Sequence, residues 1–133
     1  MSSDLEPGAT LTLAAPKVTR TVLALYAGAS GDHNPVHIDI DECHAVGIPD
    51  VFAHGMLSMA YLGRLLTDRF PSDRIRSFAV RFTSVTPVNA VPTCTATVGE
   101  VTDGLAHLEL RVALPDGTVT LTGSATIETG EFG

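Results

Sequence analysis

The chain has 133 residues, 44% hydrophobic and 17% charged, which is enough apolar material for one core and too little length for a second domain. Its formal net charge of −7, from 15 acidic against 8 basic side chains, argues against nucleic acid or an anionic membrane surface as a partner. No Lys/Arg-led apolar stretch opens the chain, and the apolar run from Val51 is broken by His54, Gly55, Ser58 and Arg64, so neither a secretory leader nor a spanning helix is expected and the expected location is the cytoplasm.

Residues 1–10 are small, polar and Gly/Pro-containing, and read as the frayed start of a single domain over 1–133. Leu11, Leu13 and Ala15 alternate as an opening strand that stops at Pro16. Thr19 can cap a short helix whose Val22, Leu23, Leu25 and Tyr26 share a buried face, with Gly28 as its expected end. Asp39 and Glu42 then have the spacing of a capping box for a second short helix, closed by Gly47 with Pro49 beyond. From His54 to about Asp68 runs the longest helical pattern. Its first half, through Met56, Leu57, Met59, Ala60, Tyr61 and Leu62, is apolar on nearly every side and is therefore expected to be buried.

Four strands with period-2 patterns follow, expected as a meander. Phe78, Val80 and Phe82 share one side of the first; Cys94, Ala96 and Val98 alternate with threonines in the second. Asp103-Gly104 and Asp116-Gly117 supply the turns into the third, with Leu108, Leu110 and Val112 inward, and the fourth, with Val119, Leu121, Ala125 and Ile127 inward. One helix beside an antiparallel sheet with one apolar face is accommodated by curling the sheet around the helix, an α+β architecture.

Between the two short helices lies Ser30-Gly-Asp-His-Asn-Pro-Val-His37. Gly31 permits backbone angles that other residues avoid, Asn34 tolerates turn conformations, and Pro35 fixes its own φ and pushes Asn34 out of the helical region. A carboxylate, Asp32, and an imidazole, His37, are thereby held close together, as acid–base chemistry on water requires. Asp32, His33, His37 and His44 are near one another in sequence, but their spacing matches no metal motif and no metal is expected. Cys43 and Cys94 lack C-x-x-C spacing and read as small buried side chains. Ser30 is not in a G-x-S-x-G elbow. Five of the eight basic residues, Arg64, Arg69, Arg74, Arg76 and Arg81, fall in one stretch; their planar forks suit the phosphates of a carrier such as coenzyme A or a phosphopantetheine arm, or simply keep the surface solvated.

The run from Tyr26 through Ser30-Gly31-Asp32, Asn34-Pro35 and His37, continued by Phe52-Ala-His-Gly-Met-Leu57, resembles the signature of the MaoC-like family, the (R)-specific enoyl-thioester hydratases and dehydratases. The resemblance implies a hotdog fold and reversible addition of water to a trans-2-enoyl thioester, borne by coenzyme A or an acyl carrier protein, without metal or organic cofactor. It makes Asp32 and His37 the catalytic pair. The backbone N–H of Gly55, at the start of the long helix, is the candidate donor to the thioester carbonyl. Ser30 and Asn34 either orient the pair and its water or form the turn; Tyr26 packs beside the turn and can line an acyl pocket; His54 caps, packs or touches substrate. Edge-to-edge homodimerisation is expected, with a heterodimer of two hotdog chains, this one active or auxiliary, as the alternative. A hotdog thioesterase is the other enzymatic alternative, although its carboxylate usually sits on or near the central helix, whose first half here carries none.

Overall fold

The computed structural model describes residues 5–130. Five strands, β1 (Thr10–Ala14), β2 (Ile75–Phe82), β3 (Thr93–Thr102), β4 (Leu105–Ala113) and β5 (Val119–Glu128), form one antiparallel sheet in the order β1-β3-β4-β5-β2. Asp103 (φ 55°) and Gly104 (φ 76°) both take the left-handed conformation, which matches a tight hairpin to the twist of β3 and β4. The expected meander holds for β3, β4 and β5 only. β2 pairs with β5, Phe78 facing Ala125, because alternation specifies which face a strand buries and not which neighbour it takes. The connection 83–92 consequently crosses from one edge of the sheet to the β3 side.

The helix α3 (Gly55–Thr67) lies on the apolar face of this sheet. Leu62, Leu65 and Leu66 are at most 1% exposed and pack with Leu108, Val112, Leu121 and Ile127 from the sheet. Each such burial contributes roughly 1.5–3 kcal/mol, which is what bends the sheet around the helix. The expected burial of the helix's first half is corrected: Met56 is 56% exposed, because the sheet covers only one side and leaves the other open.

A second cluster, built from Val18, Leu23, Cys43, Val51, Ala53 and Leu57, joins the remaining helices to the start of α3. In α1 (Arg20–Ser30), Thr19 Oγ1 accepts the Val22 N–H, as expected of a cap. Leu23 and Ala27 form its buried stripe, while Leu25 is 68% exposed rather than buried. The helix runs through Gly28 and ends at Gly31, whose φ of 77° allows its N–H to reach back to the Ala27 carbonyl. In α2 (Ile40–Ala45), Asp39 accepts the N–H groups of Asp41 and Glu42, the forward half of the expected capping box, while its own N–H donates to the Pro35 carbonyl rather than to Glu42. Cys43 and Cys94 are both fully buried thiols. The expected fraying through Thr10 does not apply from Leu5 onward, since Leu5 is fully buried and Gly8 and Ala9 bracket Val98 with backbone bonds; residues 1–4 lie outside the described residues. No described helix is long and apolar enough to cross a membrane.

Candidate active site

The turn after α1 is a relay of short side-chain-to-backbone bonds. Ser30 Oγ accepts the Asp32 N–H at 3.2 Å, Asp32 Oδ1 accepts the Asn34 N–H at 3.3 Å, and Asn34 Oδ1 accepts the Val36 N–H at 3.2 Å. Asn34 thereby caps a single 3₁₀ turn, Pro35–His37. Ser30 and Asn34 thus use their side-chain oxygens to shape the backbone, and Asp32 keeps its second carboxylate oxygen for other contacts.

That second oxygen, Oδ2, stands 3.9 Å from Nε2 of His37. The other ring nitrogen, Nδ1, is 2.8 Å from the carbonyl oxygen of Phe52. A carbonyl can only accept, so in the neutral ring Nδ1 carries the proton and Nε2, on the carboxylate's side, is left with the lone pair. The His37 side chain is 10% exposed and that of Asp32 51%, so the imidazole is fixed in the protein and the carboxylate opens outward.

His54, the residue before α3, completes the cluster. It is 1% exposed, its ring stacks on that of His37 with centroids 3.9 Å apart and planes at 25°, and Tyr26 of α1 meets it edge-on at 4.8 Å. Its Nε2 bonds the main-chain oxygen of Asp32 at 3.0 Å, and its Nδ1 is buried with no partner among the described residues. Burial first of all, and then the neighbouring His37, push its pKa below the ordinary 6.5, against the opposing pull of Asp32. His33 is exposed, and His44 bonds the Pro49 carbonyl away from the turn.

Asp32, His37 and His54 place one potential ligand atom each within 4.8 Å of one another. Stacking, however, directs the lone pairs of the two rings along nearly parallel planes, and each ring already spends one nitrogen on a carbonyl, an arrangement unlike the convergent donors of a tetrahedral metal site.

A cleft of about 310 Å³ adjoins this cluster through Phe52, whose ring lies edge-on to His37, and is lined further by Ala53, Gly55, Phe82, Val85 and Thr86. Gly55 opens α3, where the first amides have no intrahelical acceptor. A Cβ on Gly55 would fall 2.8 Å from Cε1 of Phe82, so only glycine lets that ring lie against the helix start. Ser58, three residues further, and Thr86 put two buried hydroxyls 3.5 Å apart behind the cleft. A larger trough, about 450 Å³, lies on the outer face of the sheet among Thr95, Thr97, Glu109, Arg111 and Thr122, remote from the Asp32/His37 pair.

Four of the five arginines in that stretch have partners within the chain, and Arg81 is exposed on β2. Arg64 pairs with Asp68 one helical turn away, Arg74 and Arg76 both bond Glu128, and Arg69 reaches the Thr12 carbonyl. Sequence reasoning missed Phe52 and Phe82. Phe52 acts on His37 through its carbonyl oxygen, which carries no side-chain signature, and Phe82 reaches Gly55 only because β2 takes the edge beside β5.

A five-stranded antiparallel sheet curled around one helix, with an acid–imidazole turn beside that helix's first residues, defines a hotdog domain. The chain belongs to the MaoC-like family: the sequence model of the MaoC like domain matches residues 3–113. The (R)-specific enoyl-CoA hydratase of Rhodospirillum rubrum is 30% identical over 95 residues, 71% of this chain and 65% of that protein. The 3-hydroxyacyl-thioester dehydratase X of Mycobacterium tuberculosis is 38% identical over 76 residues, 57% of this chain. Among solved structures, the unliganded R-hydratase PhaJ1 of Pseudomonas aeruginosa superposes with a TM-score of 0.85 at 26% identity, covering 98% of this chain and 85% of that one. The chain spans 25% of the length of dehydratase X and 5% of the fatty acid synthase subunit beta of Saccharomyces cerevisiae, another curated relative it matches.

Proposed function

We propose that this chain catalyses the reversible hydration of trans-2-enoyl thioesters, carried on coenzyme A or an acyl carrier protein, to (R)-3-hydroxyacyl thioesters, in the cytoplasm. The observation that carries this reading is the 3.9 Å separation of Asp32 Oδ2 and His37 Nε2, with the lone pair of Nε2 turned toward the carboxylate. Two acceptors at that distance suit one water, since a water donating two ordinary hydrogen bonds spans roughly 4 Å between its acceptors.

In the forward direction the oxygen of that water bonds to the β-carbon, one of its protons passes to the Asp32/His37 pair, and the pair returns a proton to the α-carbon. Charge that builds on the thioester oxygen meanwhile is met by the Gly55 amide, favoured there by the unpaired N–H and by the helix dipole. Because the two groups face one another across one water, they act as a unit. The chemistry of the pair calls for no metal or organic cofactor.

A second hotdog chain fits the same reading. Met56, Phe82 and Val85 expose apolar surface beside the cleft, and β1 and β2 are open sheet edges. Covering them would take this apolar surface out of water. A second copy of this chain is the expected partner. The complex of ChsH1 and ChsH2 from Mycobacterium tuberculosis, whose fold this chain shares at 24% identity and a TM-score of 0.81, motivates testing a different hotdog partner as well.

The test is incubation of the purified chain with a trans-2-enoyl thioester, following loss of the conjugated absorbance and identifying the product. The (R)-3-hydroxyacyl thioester is expected, with a chelator leaving the rate unchanged. Release of free thiol without that product would favour a thioesterase; activity only on adding another hotdog chain would make this chain one subunit of a pair.

A further inference from the structure

We infer that His54 is a positioning residue: as an imidazole kept neutral, it clamps the main chain at Asp32 and the ring plane of His37 at once. The inference rests on the hydration reading above and adds a component to it. The Nε2–H of His54 donates to the Asp32 carbonyl at 3.0 Å, fixing the backbone that carries the carboxylate. Its ring covers one face of the His37 ring at 3.9 Å, while the Phe52 carbonyl holds the edge of that ring at Nδ1. His37 is thus held in plane and in tautomer, with Nε2 free to act.

Neutrality is built into the same geometry. Because the partner of Nε2 is a carbonyl, a neutral His54 has its proton on Nε2 and its lone pair on Nδ1. A second proton would have to sit on Nδ1, which is buried and has no acceptor among the described residues. The titratable groups packed against His54 are Asp32 and His37 from the turn and Tyr26 from α1; the connection 83–92 contributes none. A charged His54 would lie face to face with His37 and make it a weaker base. A neutral one spares it.

Clamping explains why the residue immediately before the amide donor of Gly55 is a buried histidine rather than an ordinary cap: its side chain makes no capping bond to α3. One ring ties the start of the helix to both members of the catalytic pair, so the three parts of the site share one position reference.

Imidazole ¹⁵N NMR of the intact protein tests this together with two variants. In the wild type, His37 should carry its proton on Nδ1 and His54 on Nε2, and His54 should stay neutral over the pH range in which hydration proceeds. His54→Gln keeps a donor for the Asp32 carbonyl and removes the stacked ring; His54→Phe keeps the ring and removes the donor. Each should lower kcat about 10- to 100-fold, the scale of a modest misplacement of reacting groups, with KM little changed. In His54→Gln the His37 signals should also move toward a mixture of tautomers. A His54 that titrates within the active range, or a folded His54→Gln protein with wild-type kcat and an unaltered His37 spectrum, would overturn the inference. If neither variant folds, the wild-type spectrum alone decides. Failure of the underlying hydration reading shows differently, as a wild-type protein that forms no (R)-3-hydroxyacyl thioester at all while its imidazole spectrum is unchanged.

Discussion

His37 donates its Nδ1 proton to the carbonyl oxygen of Phe52 across 2.8 Å, and this one bond decides which nitrogen faces Asp32. Fifteen residues separate the two in the chain. The strand-like stretch at Phe52, which bridges to Pro87, holds the acceptor in place, so the tautomer of the imidazole is set by backbone rather than by another ionisable group.

Gly55→Ala separates folding from catalysis at the start of α3. The added methyl would lie 2.8 Å from Cε1 and 2.9 Å from Cδ1 of Phe82, a ring that is 51% exposed and can swing outward. Alanine also suits a helix better than glycine, so the change in stability should stay below about 1 kcal/mol. The methyl and the displaced ring would nevertheless stand in the cleft before the Gly55 amide. We expect kcat/KM to fall by about a hundredfold, the cost of losing one such donor. Thermal denaturation beside steady-state kinetics checks both halves.

Acid should destabilise the protein through His54. Its folded pKa is lowered, so the unfolded chain binds the proton more readily. The stability it contributes is therefore fully present above the unfolded value near 6.5 and is lost as pH falls below it toward the folded value. Between about pH 7.5 and about pH 5 the wild type should lose more Tm than His54→Phe, which has no proton to take up at that position. Parallel Tm-against-pH curves for the two proteins would assign the acid sensitivity elsewhere.

Much of the candidate site could be read along the chain because it is local. Ser30, Asp32 and Asn34 each bond a backbone group two residues away, and the composition of the turn announces such bonds. The bounds of α2 were legible for the same reason, from Asp39 and Gly47. What could not be read is what the chain brings together over long range. Alternation in β2 says nothing of its pairing with β5; the Phe52 carbonyl has no side-chain signal; Arg74 and Arg76 find Glu128 only in three dimensions. Exposure of Leu25 and Met56 escaped periodicity as well, since an apolar position looks the same whether it faces a core or open surface.

Apolar exposure beside the cleft predicts association. Analytical ultracentrifugation at micromolar concentration should give about twice the 13.9 kDa chain mass. Met56→Asp should shift the population toward monomer and lower turnover with it. A fully active monomer would show that the site is complete in one chain.

Hydration at this site depends most directly on the Asp32/His37 pair acting on one water. Its measurement is the rate of enoyl-thioester hydration by Asp32→Asn, His37→Gln and the double variant, each checked for wild-type melting behaviour. Each single variant should lose about a hundred to ten thousandfold in turnover, the usual worth of positioned proton transfer, and the double variant should be little slower than the slower single one. A folded Asp32→Asn or His37→Gln protein that hydrates at the wild-type rate would contradict the account and leave the turn a structural element.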